Sequence, residues 1–98
     1  MAIAEVTVVP LGTGDTSLSK YVADCHKILE KENLNYELTP MGTILEGDLD
    51  KIFKVVQKLH DVPFGEGAER VSTTLKIDDR RDKKASIKQK LNSVNNKL

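Results

Sequence analysis

The sequence predicts an α+β domain in which two helices pack on one face of a four-stranded antiparallel sheet. Three observations predict it. Apolar residues alternate in short segments and recur at helical spacing in longer ones. These segments follow one another in the order β-α-β-β-α-β. A chain of 98 residues, 39% of them hydrophobic, fills a single core and leaves no room for a second domain.

Ile3 to Val9 is rich in β-branched residues and roughly alternating, a strand that Pro10 is expected to end. Gly12-Thr13-Gly14-Asp15 then makes a polar turn, with Ser17 placed to cap the next helix. Leu18, Tyr21, Val22, Cys25, Ile28 and Leu29 form that helix's apolar stripe. Tyr36 to Thr39 and Thr43 to Glu46 alternate on either side of Pro40-Met41-Gly42, which reads as a hairpin. Asp48 is placed to cap the second helix. Its apolar face is read as Leu49, Ile52, Phe53, Val56, Leu59 and His60, and Pro63 is expected to stop it. Arg70 to Ile77 is the fourth strand, with Val71, Thr73, Leu75 and Ile77 on one face. This is the ferredoxin-like βαββαβ sandwich. Beyond it, residues from about 83 to 98 predict an extra, basic C-terminal helix on a thin stripe of Ile87, Leu91, Val94 and Leu98. The whole of 1–98 is read as one ferredoxin-like domain, with its core at about 3–79.

Fifteen basic residues balance fifteen acidic ones, which argues against a dedicated nucleic-acid or membrane-surface binder. The distribution is uneven: residues 80–98 carry a net +6 and the first 79 a net −6. Only four aromatic residues (Tyr21, Tyr36, Phe53, Phe64) are present, too few for the base-stacking sheet of an RNA-recognition domain. No apolar run of membrane-spanning length occurs, and Met1 to Glu5 lacks the features of a signal peptide. A lone cysteine, Cys25, makes no internal disulfide, so a cytoplasmic location is expected.

The sheet's uncovered face is expected to show Glu5, Thr7, Ser72, Thr74 and Lys76, together with Ile3, Val9 and Ile44. Such a mixed face suits packing on a second copy, so a dimer or a tetramer is expected. No metal set is visible, because His26 and His60 lie on different helices and Cys25 has no second thiol. Cys25 and His26 are about 100° apart on a helix and do not face each other. Gly12-Thr13-Gly14 lacks the remaining signature of a phosphate loop, although its place before a helix suits an anion. No Arg lies between Leu11 and Ser19, which removes an acylphosphatase reading. Glu46 ends an otherwise apolar strand, where it is expected to pair with Arg70 or Lys76 or to meet a ligand's amino group. The Arg80-Arg81-Lys83-Lys84 cluster reads as a solvated face or as a grip on an acidic neighbour.

Several phrases occur in a characteristic order: Val9-Pro10-Leu11-Gly12, Ser19-Lys20-Tyr21-Val22, Leu38-Thr39-Pro40-Met41-Gly42-Thr43, Leu45-Glu46-Gly47, and Arg70 through Arg80. From about Ile3 to Lys83 the chain resembles the small thiamine-binding protein family. That resemblance implies a ferredoxin-like fold and assembly as dimers and tetramers through the sheets. It also implies binding of thiamine, or of its hydroxymethylpyrimidine part, without chemical conversion and without a cofactor. Carried onto this chain, it places Ser19, Met41, Thr43 and Glu46 near the ligand, with Pro10 and Gly12 shaping the rim. A carboxylate and hydroxyls suit an aminopyrimidine, which offers an NH₂ donor and ring acceptors. Two other readings stand beside it: an oligomeric module sensing another metabolite, and an enzyme using Glu46 with His60 as an acid–base pair.

Overall fold

The computed structural model describes residues 1–12, 19–82, 90–92 and 94–95, with Ser19 described in its backbone alone. The elements are β1 (Ala2–Leu11), α1 (Ser19–Lys31), β2 (Asn35–Thr39), β3 (Gly42–Gly47), α2 (Leu49–Gly65) and β4 (Arg70–Asp79). The strands form one antiparallel sheet in the order β2-β3-β1-β4, the ferredoxin-like arrangement the sequence predicts. The Ser17 cap, Leu18 and most of the Gly12-to-Asp15 turn lie outside the described residues.

Strand register sorts the side chains onto two faces. Ala4 pairs with Leu45 on one side and Ile77 on the other, and Val6 pairs with Thr43 and Leu75. These inward residues meet Leu29 of α1 and Ile52, Val55 and Leu59 of α2 in one core. Truncating a fully buried member such as Leu45 or Ile52 to Ala typically costs about 2–5 kcal/mol. The other face carries Ile3, Glu5, Thr7 and Val9 of β1, Ile44 of β3, and Ser72, Thr74 and Lys76 of β4, as expected.

Four local expectations are corrected. Pro10 does not end β1; it lies buried within it, opposite Val71. The β3 register stops at Val6, so beyond that point β1 has β4 on one side only. A missing N–H costs no ladder bond when it faces the open side. Pro63 likewise does not stop α2 but sits buried inside its last turn. Its carbonyl accepts the N–H groups of Glu66 (3.1 Å) and Ala68 (3.0 Å), which close the helix end. Phe53, placed on the buried stripe of α2, is 49% exposed, and Val55 takes the buried place instead. The stripe therefore runs Ile52, Val55, Val56, Leu59 and Pro63, an i, i+3, i+4, i+7, i+11 pattern. On α1, Val22 is 53% exposed while Leu29 is fully buried.

Asp48 occupies the N-cap position of α2 but its side chain makes no capping hydrogen bond; its backbone carbonyl accepts the Ile52 N–H at 2.9 Å, the first bond of the helix. Of the expected C-terminal helix, residues 90–92, 94 and 95 are helical, and the remainder lies outside the described residues. The Lys90 ammonium pairs with the Asp78 carboxylate of β4, beside Ile3 and Ile44 on the uncovered face.

Candidate functional site

One pocket lies where α1, the β2–β3 hairpin and β1 meet, with a volume of about 220 Å³, and Thr7 and Val9 from the other face of β1 also line it. Val6, Val8 and Pro10 form its floor from β1, and Leu59 and Pro63 of α2 close the back. Tyr21 and Cys25, one helical turn apart, face it from α1. From the hairpin come Leu38 and Thr43, which pair across β2 and β3 and therefore share a face. The lining is mainly apolar, and Tyr21, Thr39 and Thr43 supply hydroxyl groups, the combination typical of a small-molecule site.

The hairpin turn is held in place by its own threonines. Thr39 Oγ1 donates to the Gly42 carbonyl at 2.8 Å and accepts the Met41 N–H at 3.2 Å. Thr7 Oγ1 reaches across from β1 and donates to the Met41 carbonyl at 3.2 Å. A side chain at Gly42 would lie 2.9 Å from Thr7 Oγ1 and 3.0 Å from the Val6 carbonyl, so only glycine allows this approach. The result presents Met41, 80% exposed, at the pocket's mouth. Burial pushes the half-buried Cys25 thiol up, and the neighbouring Asp24 carboxylate adds to the effect.

Register divides the residues singled out from the sequence. Pro10, Met41 and Thr43 come together around the pocket. Gly12 lies just beyond β1, exposed and with φ +69°, where glycine is at ease. Ser19 opens α1, and its side chain lies outside the described residues. Glu46 stands three residues after Thr43, and an odd separation in a strand puts it on the opposite face. Its register neighbours are Ile3 and Asn35, and it accepts a hydrogen bond from Asn35 Nδ2 at 3.3 Å. The expected pairing with Arg70 or Lys76 is corrected, since those residues sit opposite Leu11 and Glu5. Glu46 borders a separate polar cleft of about 490 Å³ with Asn33, Asp48 and Lys51.

The two histidines have structural contacts. His60 Nδ1 lies 2.6 Å from Thr73 Oγ1, and its ring meets Phe64 edge-on. It packs among the helix-side groups while Glu46 points from the other face, so the two do not form an acid–base pair. His26 Nε2 lies 2.8 Å from Glu30 and its ring meets Tyr36 edge-on. Among the described residues, no group of three or more His, Cys, Asp or Glu side chains is placed to hold a metal. Nor is any described helix long and apolar enough to cross a membrane.

Tyr21, Cys25 and Leu38 line the pocket, although the sequence pattern places them in a helix stripe or a strand. Their signal was the helical spacing of Tyr21 and Cys25, which is the same for a core stripe and a pocket wall.

Comparison with known proteins points the same way as the geometry. A family profile described as "Thiamine-binding protein" matches residues 4–95. The UPF0045 protein YqgV of Bacillus subtilis is 50% identical, over 100% of this chain and 98% of its own. A UPF0045 protein of Methanothermobacter thermautotrophicus is 48% identical over the full length of both chains. Among solved structures, the hypothetical protein MJ1052 of Methanocaldococcus jannaschii superposes with a TM-score of 0.86 at 41% identity, covering 96% of this chain and 95% of its own. A Thermotoga maritima protein assigned to thiamine biosynthesis or salvage matches with a TM-score of 0.76, covering 95% of this chain and 97% of its own. At 22% identity that last likeness carries the fold alone.

Proposed function

The chain belongs to the thiamine-binding protein family, and on that premise we propose that it binds thiamine or hydroxymethylpyrimidine in the pocket between α1 and the hairpin. The ligand is held and released without conversion. Pro10 and Thr43 border the ring, Met41 lies against it at the mouth, and Gly12 and Ser19 stand where β1 hands over to α1. The observation that carries this reading is the pocket itself: about 220 Å³, walled by apolar side chains, with hydroxyls from α1, β2 and β3. That is below the roughly 300–1,000 Å³ of sites for drug-sized molecules and matches a single heteroaromatic ring. A soft thioether suits an aromatic ring, and hydroxyls suit an amino group and ring nitrogens. The protein works as a homo-oligomer joined through the uncovered sheet face, and its unpaired Cys25 fits a reducing cytoplasm.

Isothermal titration of the ligand-stripped protein with thiamine and with hydroxymethylpyrimidine tests the reading. Saturable binding at micromolar or tighter affinity is expected; no heat from either compound would sink it. A second readout locates the site. Cys25 lines the pocket and its raised pKa keeps it protonated at neutral pH, so alkylation should be slow there and faster in alkali. Saturating ligand should slow it further at every pH, and an unchanged rate would place the ligand elsewhere.

A further inference from the structure

The pocket has a chemical character that divides the possible forms of its ligand. Among the described residues that line it, none carries a charge at neutral pH. The chain between Gly12 and Lys20 contains no Lys or Arg, so the segment joining β1 to α1 brings no cation. Lys20, beside Tyr21 in sequence, has its ammonium 4.0 Å from the Glu66 carboxylate. The mouth is apolar as well: Val22, Leu38 and Met41 are 53%, 43% and 80% exposed. Around it lies a body, residues 1–79, with a net charge of −6.

We infer that the pocket accepts the unphosphorylated aminopyrimidine and rejects its phosphate ester, an inference that rests on the ligand reading above. In thiamine, the carbon attached to the pyrimidine ring leads to the thiazolium. A ring buried in the pocket therefore points this carbon at the mouth. The same carbon carries the phosphate in hydroxymethylpyrimidine phosphate, so one apolar rim meets both substituents. A thiazolium is flat, weakly hydrated and cationic, and it lies well against a thioether and an acidic body. A phosphate is strongly hydrated and needs Arg, Lys or a set of N–H groups in exchange for its water. No such exchange is on offer among the described lining residues. A site of this kind holds the alcohol before a phosphotransfer reaction and lets go of the ester that such a reaction makes.

The test is titration of the full chain with hydroxymethylpyrimidine and with its phosphate ester at about 0.15 M salt, where long-range charge effects are screened. The ester should bind at least about ten-fold more weakly. Val22→Lys and Leu38→Lys, both at exposed positions, should each strengthen ester binding and narrow that gap. Equal or tighter ester binding by the natural chain overturns this inference and leaves the ligand reading standing. Binding of neither compound overturns both. A gap that neither lysine narrows overturns the inference too, because the phosphate would not lie at this rim.

Discussion

Thr43 and Glu46 stand three positions apart on one strand, and that odd spacing gives them different neighbourhoods. Thr43 faces inward, opposite Val6 and Leu38, where its hydroxyl reaches the pocket. Glu46 faces away, bonded by Asn35. Thr43→Val keeps the shape and removes the hydroxyl, so it should weaken ligand binding by roughly 0.5–1.5 kcal/mol, about two- to thirteen-fold in affinity. Glu46→Ala should leave affinity within about two-fold, because no ligand in the pocket reaches it. Calorimetric titration of both variants decides the matter. The opposite ranking would move the ligand to the polar cleft beside Glu46. From the sequence alone a carboxylate is the more attractive partner for an amino group, and only strand register removes it.

Between elements, the two helices are joined at the surface by Glu32, just past α1, and Lys58 of α2. The Lys58 hydrogen bond, with Coulombic help from Lys58 and Lys51, holds the Glu32 carboxyl below its usual range. A carboxyl whose pKa is lowered by folding stabilises the fold above its unfolded value of about 4.3. That contribution is lost as pH falls through the lowered value. Glu32→Gln should therefore flatten the fall in melting temperature between about pH 5 and pH 3, which a thermal melt series measures. An unchanged slope would mean that the pair does not persist in solution. At this scale the alternation of β4 and of the hairpin was legible, because each strand buries one face and the period of two is strict. Helix faces were less legible. Phe53 is apolar and falls within the stripe's angular width, yet the shorter Val55 is what fits beneath the sheet. The prolines misled for a related reason. Pro10 lies past the point where β3 pairs with β1, and Pro63 sits in the last turn of α2, where only one helical hydrogen bond is lost and the chain is about to leave the helix.

For the molecule as a whole, the consequence lies on the sheet's uncovered face. Four strands about 4.8 Å apart, each contributing several residues at about 3.3 Å, give a face of roughly 20 by 20–30 Å. That is of the order a standard interface needs, about 800 Å² of accessible surface from each partner. Ile3 and Ile44 lie on the two inner strands of this face, with Glu5 directly opposite Lys76 across the β1–β4 ladder. A two-fold interface sets one patch against its own copy, and a face that carries both signs of charge beside isoleucines suits that self-pairing. The Lys90–Asp78 pair stands beside Ile3 and Ile44 on the same surface. Sedimentation at micromolar concentration should find a dimer or tetramer. Ile44→Lys should shift it toward the single chain while far-ultraviolet circular dichroism stays unchanged, since Ile44 points away from the core. A monomer in the natural chain, or an unaltered oligomer in the variant, would show that this face is not the interface. Because Ile44 does not line the pocket, monomeric Ile44→Lys should still bind ligand. Loss of binding together with assembly would mean that a second copy completes the site.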